Sequence, residues 1–405
     1  MRILLILIFS FKSLIIFGYQ AKPYDFPKPV DTKSKPINTP ERTIKVLKNV
    51  SFDNSFNGAR IDGLMAADTS FIIKMNPENE PINYSPWYAF KVWGNTDTVV
   101  QVVMDYSKFK YGQRYWPKLS KDGLNWTRLD ESNFKYLGDS LKVSLTLSLT
   151  NQPLWVAAQE IQNSEMVSAW AQEIATKGGA QYKTIGKTTL ERDIPMIEFV
   201  AGKKKPTIIV LSRQHPPEVT GYLAMKSFLE RIFEVKDELS TEFLKNYNLL
   251  IFPLMNPDGV DLGHWRHNAG GVDLNRDWAY YNQPETRQIA DYIVNFAKEK
   301  KSNIVLGLDF HSTFRDIYYT NIDSLVSVLP EFTNAWITNI KARVEDSEAK
   351  VSASGIGQPV SKTWFYTQFN AVGITYEIGD DTPRDLIKVK GEVSAEEMMK
   401  LLLKK

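Results

Sequence analysis

The chain has no cysteine, and only four of its 405 residues are histidine. Without cysteine there are no disulfides and no lipid attachment through an N-terminal thiol, so an exported form would rest on its core and any bound metal alone. A surplus of one charge is lacking as well. The formal net charge is +2, and the short basic run Lys203–Lys205 sits between two apparent strands and reads as a solvated turn. Nothing in this balance provides for a nucleic-acid or membrane-surface partner. The longest apolar runs fall short of the ~20 residues that a membrane-spanning helix needs, which speaks against stable membrane insertion. No internal repeat is found.

What is present is ordinary in amount and specific in arrangement. Apolar residues make up 43% and charged residues 24%, as in a globular protein with room for two domains. The start is less ordinary: Met1-Arg2, then Ile3 to Phe11 and Leu14 to Phe17 interrupted by Lys12, then small or polar residues from Gly18 to Ala21. This reads as a secretory signal over residues 1–21, with a short membrane anchor as the alternative, and implies an exported protein, periplasmic or secreted. Residues 22–43 are rich in proline and polar side chains, as an extended linker is.

Between 44 and 158 the chain shows short runs that alternate apolar and polar or are β-branched, such as Val99 to Met104 and Leu141 to Leu147, separated by turn signals. Strands at this spacing predict a small antiparallel β-sandwich. Its tryptophans Trp87, Trp93, Trp116 and Trp126 suit packing, with a carbohydrate-binding surface as the alternative. From 159 to 405 the period changes. Apolar runs such as Thr207 to Leu211, Leu249 to Leu254 and Ile304 to Leu308 alternate with helical spacing over Tyr222 to Val235 and Glu285 to Lys300. That alternation predicts an α/β domain with a mixed, largely parallel sheet flanked by helices.

The residues with chemistry fall at the ends of these runs, where open α/β sheets bind ligands. His215-Pro-Pro-Glu218 places an imidazole and a carboxylate on one turn, and His311 follows at a later strand end. Two imidazoles and a carboxylate, with a fourth position left to water, are a common zinc set in hydrolases. The same stretch carries Asn256-Pro-Asp-Gly259, Arg266, Asp273-Leu-Asn-Arg276, Asp309-Phe-His-Ser312 and Thr375-Tyr-Glu377. Several motifs in one order specify far more than any single one.

This ordered set resembles the zinc metallocarboxypeptidases of the carboxypeptidase A clan, over roughly the last 245 residues. Ser85 to Val92, Trp116 to Leu119 and Leu154 to Ala158 resemble the β-domain that precedes the catalytic domain in cytosolic carboxypeptidases. The resemblance implies one zinc per chain, held by His215, Glu218 and His311, with peptide or protein C-termini as substrates. It implies that Asp273 orients the first histidine, that Glu377 is the base and proton donor, and that Arg266 stabilises charge on the carbonyl oxygen. Asp380 and Asp381 stand as rival bases. Asn275 and Arg276 would take the substrate's terminal carboxylate, a task that suits the planar guanidinium. Lys362, two residues before Trp364, would lie at the floor of the pocket for the terminal side chain and favour acidic termini, unless an insertion turns it to solvent. Two departures from the family pattern stand out. Val351 falls where an active-site tyrosine is expected, with Tyr366 or Tyr376 as substitutes, and Pro217 replaces an arginine. Alternative functions on the same fold are an amidase or carboxypeptidase of cell-wall peptides and a deacylase of small amides. From another class, the chain could be an inactive peptide- or carbohydrate-binding protein.

Overall fold

Alternation in the sequence becomes sheet faces in the first part of the chain. In Lys142–Leu149, Val143, Leu145, Leu147 and Leu149 are buried while the residues between them are half-buried or exposed, the period of a strand with one face on a core. The computed structural model describes residues 21, 24–108, 112–138, 140–344 and 349–404; the expected signal segment, apart from Ala21, lies outside them. Residues 44–157 form a six-stranded and a five-stranded sheet that close over one apolar core including Phe52, Phe90, Val102, Met104 and Val156. The pairing is antiparallel except where Ser70–Lys74 runs parallel to Thr98–Asp105.

Residues 24–43 contain no helix or strand, yet they do not hang free. Thr32 is buried and donates to Asp277 at 2.5 Å, Gln283 donates to the Thr32 carbonyl at 2.7 Å, and the Lys35 amide donates to the Gly270 carbonyl at 2.8 Å. The segment is strapped along the C-terminal part of the protein.

That part is built on an eight-stranded mixed sheet. Thr207–Ser212 lies parallel between Asn248–Phe252 and Ile304–Thr313, and Val372–Gly379 lies parallel to Ile304–Thr313 on its far side. Antiparallel pairs extend the sheet at both ends, and Lys350–Ser354 is the edge strand beyond Ile317–Asn321. The apolar runs are continuous because both faces are covered. Ile208 and Val210 enter a core with the helices Val219–Phe233 and Arg384–Leu403, while Ile209 and Leu211 enter a second core with Pro284–Lys300 and Ser361–Phe369. Each such side chain contributes roughly 1.5–3 kcal/mol relative to exposure, which fixes the strand register that the site depends on.

Helix ends follow local chemistry. Asn163 caps Ser164–Gly178 by accepting the Met166 N–H at 2.9 Å, and Gly179 closes it in the left-handed region at φ +66°. Asn256 caps the short helix Pro257–Leu262, with Pro257 at the position where a missing N–H costs nothing. The Asn-Pro-Asp-Gly motif is therefore a helix start, and its Asp258 binds Arg192 and Thr188 rather than facing the site.

Candidate active site

The parallel strands deliver their ends to one place. His215 lies in the turn after Thr207–Ser212, and Glu218 is the residue at which the helix Val219–Phe233 begins. His311 stands within Ile304–Thr313, in register with Glu377 on the neighbouring parallel strand. Arg213, just before the ligand turn, adopts φ +56° and donates from its buried guanidinium to the Pro216 carbonyl at 2.7 Å. A left-handed non-glycine residue costs free energy and persists only where its surroundings hold it.

His215, Glu218 and His311 are all buried, with donor atoms within 4.8 Å of one another. His215 Nδ1 is 2.7 Å from Glu218 Oε1, His311 Nδ1 is 2.6 Å from Glu218 Oε2, and the two Nδ1 atoms are 3.1 Å apart. The outer nitrogens face carboxylates. His215 Nε2 is 2.8 Å from Asp273 Oδ1, and His311 Nε2 is 2.9 Å from Asp309 Oδ2, although off the line of a straight hydrogen bond. Carboxylates at the outer nitrogens favour the ring proton there. Both inner nitrogens then face each other and an anionic carboxylate. Three such donors converging on one point fit a dication, whose charge would take the place of any proton between them, and the donor types suit zinc.

Around this centre lies a cavity of about 1150 Å³. Glu377 lines it, and its Oε2, buried, has no hydrogen-bond partner among the described residues. Burial and the nearby charge of Glu218 hold the Glu377 carboxyl above the usual carboxylate range. The rival bases are elsewhere. Asp380 is tied to Arg114 at 2.8 Å, its pKa pushed up to about 6 by burial against the pull of that arginine, and Asp381 is exposed.

Arg266 also lines the cavity, and its Nε donates to Asp273 Oδ2 at 2.8 Å. Asp273 thus joins His215 to Arg266, and its carboxyl stays well below the usual range because the Arg266 guanidinium and the hydrogen bonds it accepts outweigh burial. Asn275 and Arg276 sit beside them. Asn275 Oδ1 accepts the Ser361 N–H at 2.9 Å, and Arg276 donates to the Asn275 carbonyl at 2.8 Å while facing the cavity. Lys362 is buried, lines the cavity and donates to Asn321 at 3.0 Å; burial pushes its pKa down to about 8.

Neither Tyr366 nor Tyr376, the two candidates for the missing tyrosine, lines the cavity. Tyr376 is stacked on Tyr318 at 4.4 Å in the core, because it alternates with the cavity-facing Thr375 and Glu377 on its strand. Tyr366 is half-buried on the helix Ser361–Phe369 and does not line the cavity. Tyr319 does: it pairs with Thr375 in register and so shares the sheet face of Glu377. Val351 is exposed on the edge strand. Asp309 stands behind His311, a place not foreseen for it although the motif Asp309-Phe-His311 signals it through the same-face spacing of residues two apart. Arg114, Tyr84 and Ser85 bring the β region to the cavity wall, and no local signal marks them.

The zinc carboxypeptidase family profile matches residues 167–393. An uncharacterized protein of Zymomonas mobilis is 22% identical over 241 residues, 58% of this chain and 61% of that protein, so the match spans less than two thirds of this relative's length. Cytosolic carboxypeptidase 6 of Caenorhabditis elegans is 22% identical over 341 residues, 75% of this chain and 72% of that protein. Relatives at 25% identity include fungal proteins named inactive metallocarboxypeptidases. Among solved structures, a metallo-carboxypeptidase from Burkholderia cenocepacia superposes with a TM-score of 0.75 at 16% identity, covering 88% of this chain and 99% of that one; at that identity the likeness concerns the fold.

Proposed function

The chain belongs to the zinc carboxypeptidase family, and we propose that it is an active, zinc-dependent carboxypeptidase that removes the C-terminal residue of a peptide. One observation carries this reading: the three converging donors of His215, Glu218 and His311 share a cavity with a buried carboxylate oxygen of Glu377 that has no partner among the described residues. A zinc ion held by those donors would polarise the scissile carbonyl and make hydroxide available near neutral pH. Glu377 would accept the proton of the attacking water and return it to the departing amine. Arg266, held by Asp273, would stabilise charge on the former carbonyl oxygen. Arg276, with Asn275 beside it, would bind the terminal carboxylate.

Lys362 adds selectivity to this reading. Its ammonium donates to the neutral Asn321, and a buried ammonium gains from a counter-charge. A terminal Glu or Asp side chain would supply one. Export belongs to the same reading, on the basic and apolar start of residues 1–17; sequencing the N-terminus of protein recovered from outside the cytoplasm would test it, and an unprocessed cytosolic product would overturn it.

The names of the fungal relatives give weight to a second reading, a peptide-binding protein without turnover. Zinc-loaded protein incubated with peptides ending in Glu, Lys or Leu and followed by mass spectrometry separates the two. Stepwise loss of single C-terminal residues, abolished by a chelator and restored by zinc, is the expected result. Saturable binding of those peptides with no shortened product would overturn the enzymatic reading.

A further inference from the structure

Glu78 belongs to the β region, yet its carboxylate is directed wholly at the loop that carries Arg266. Its Oε2 accepts the Trp265 N–H at 2.8 Å, and its Oε1 accepts the N–H groups of Arg266 at 3.0 Å and His267 at 2.7 Å. The residue is 1% exposed. A carboxylate in such a place is costly unless donors replace its water shell, and three consecutive backbone amides do so. The arrangement works in both directions, because those amides have their acceptor in Glu78.

The neighbouring contacts fix the same loop. Asn79 Oδ1 is 2.5 Å from His267 Nδ1, Asn79 donates to the Gly271 carbonyl at 3.0 Å, and the Trp265 indole donates to the Trp87 carbonyl at 3.1 Å. Beyond the loop the chain of contacts reaches the metal ligands. Arg266 donates to Asp273 at 2.8 Å, and Asp273 in turn holds His215 at 2.8 Å. A displacement of the 265–267 backbone would therefore move both a cavity-lining guanidinium and the carboxylate that orients a ligand imidazole.

We propose that Glu78 is a positioning residue for Arg266, so that the β region is a working part of the active site rather than an appended module. The consequence for turnover rests on the carboxypeptidase reading; the anchoring of the loop does not. Glu78→Gln keeps the volume but turns one acceptor into an NH2 group that faces backbone donors. Glu78→Asp keeps the charge and shortens the reach, so it should restore part of what the glutamine variant loses.

The test uses the full chain loaded with zinc, as parent, Glu78→Gln, Glu78→Asp, Arg266→Ala and the Glu78→Gln/Arg266→Ala double variant. Hydrogen exchange of the segment around residues 264–268 is followed by mass spectrometry, beside melting temperature, zinc content, kcat and KM. In Glu78→Gln that segment should exchange about tenfold faster or more, as local opening becomes easier, with the aspartate variant in between and zinc content unchanged. Its kcat should fall about ten- to a hundredfold, the scale of a misplaced catalytic group, with KM changed less than about threefold. On the Arg266→Ala background the glutamine substitution should add little further loss, because two changes acting through one group are not additive. Unchanged exchange in that segment, or losses that multiply in full in the double variant, would overturn the proposal. If Glu78→Gln does not fold, the same exchange measurement is made on Glu78→Asp, and unchanged exchange there overturns the proposal equally. A parent that cleaves no peptide sinks the enzymatic reading alone, and the exchange result still decides whether Glu78 anchors the loop.

Discussion

A Cβ on Gly221 would fall 2.2 Å from the carbonyl oxygen of His311. The helix that begins after Glu218 therefore touches the strand that carries His311 backbone to backbone, and the Gly221 N–H donates to Ser312 Oγ at 2.8 Å. Two of the three converging donors are held at their separation by this contact. Gly221→Ala must push the helix from the strand. Such overpacking costs about 1–3 kcal/mol, and the variant should melt several degrees lower and bind zinc more weakly. A melting temperature within about a degree of the parent, with unchanged zinc affinity, would show that the contact is soft.

Removal of a donor tests the set itself. The parent should retain about one zinc per chain, and His215→Ala and His311→Ala should each lose it, because a set of two remaining donors would hold the ion too weakly. Metal analysis after gel filtration is the measurement. Stoichiometric zinc in both variants would assign the ion to other residues.

Glu377→Gln separates binding from chemistry. The amide preserves shape but cannot carry the proton, so kcat should drop about 10²–10⁴-fold with zinc content and KM little changed. Turnover within a few fold of the parent would move the base elsewhere. Asp380 is then a poor candidate, since Arg114 holds it at 2.8 Å.

Lys362 makes a prediction about pH. Its pKa in the free protein lies at about 8, below the ordinary lysine value, so the side chain is charged below that pH and neutral above it. The ratio of kcat/KM for Glu-terminated over Leu-terminated peptides, in which common ionisations cancel, should be high below pH 8 and decline as pH rises through it. Lys362→Glu should reverse the preference toward Lys or Arg termini, with about 1–3 kcal/mol of discrimination. A ratio that is flat from pH 6 to 10, and the same in the variant, would place Lys362 outside the pocket for the terminal residue.

Much of this site was legible in the chain because its members announce themselves locally. His215 and Glu218 share one turn, Asp273, Asn275 and Arg276 share another, and the apolar runs that bring those turns together are long enough to read as strands. The strand Ile304–Thr313 runs two residues past His311, so the histidine lies inside the sheet rather than beyond it, a difference that periodicity cannot resolve where polar residues continue a buried strand. The choice between Tyr366 and Tyr376 stayed open for a related reason. Nothing in the order Thr375-Tyr376-Glu377 says which face is the cavity until the partner strand supplies the register that brings Tyr319 to it.

The sequence by itself determined which groups are on offer for chemistry: two imidazoles and a carboxylate suited to a metal, a glutamate suited to proton transfer, arginines suited to anions, and alternating runs that make two kinds of sheet. Side-chain type and short-range spacing carry that information. The tertiary structure decided which of these groups are held, and by what. Glu78 meets the Arg266 amide across 188 residues of chain, Arg114 removes Asp380 from contention across 266, and burial, not composition, lowers the pKa of Lys362. Contacts between distant segments leave no periodic trace in the chain, because each depends on where two surfaces far apart in sequence meet.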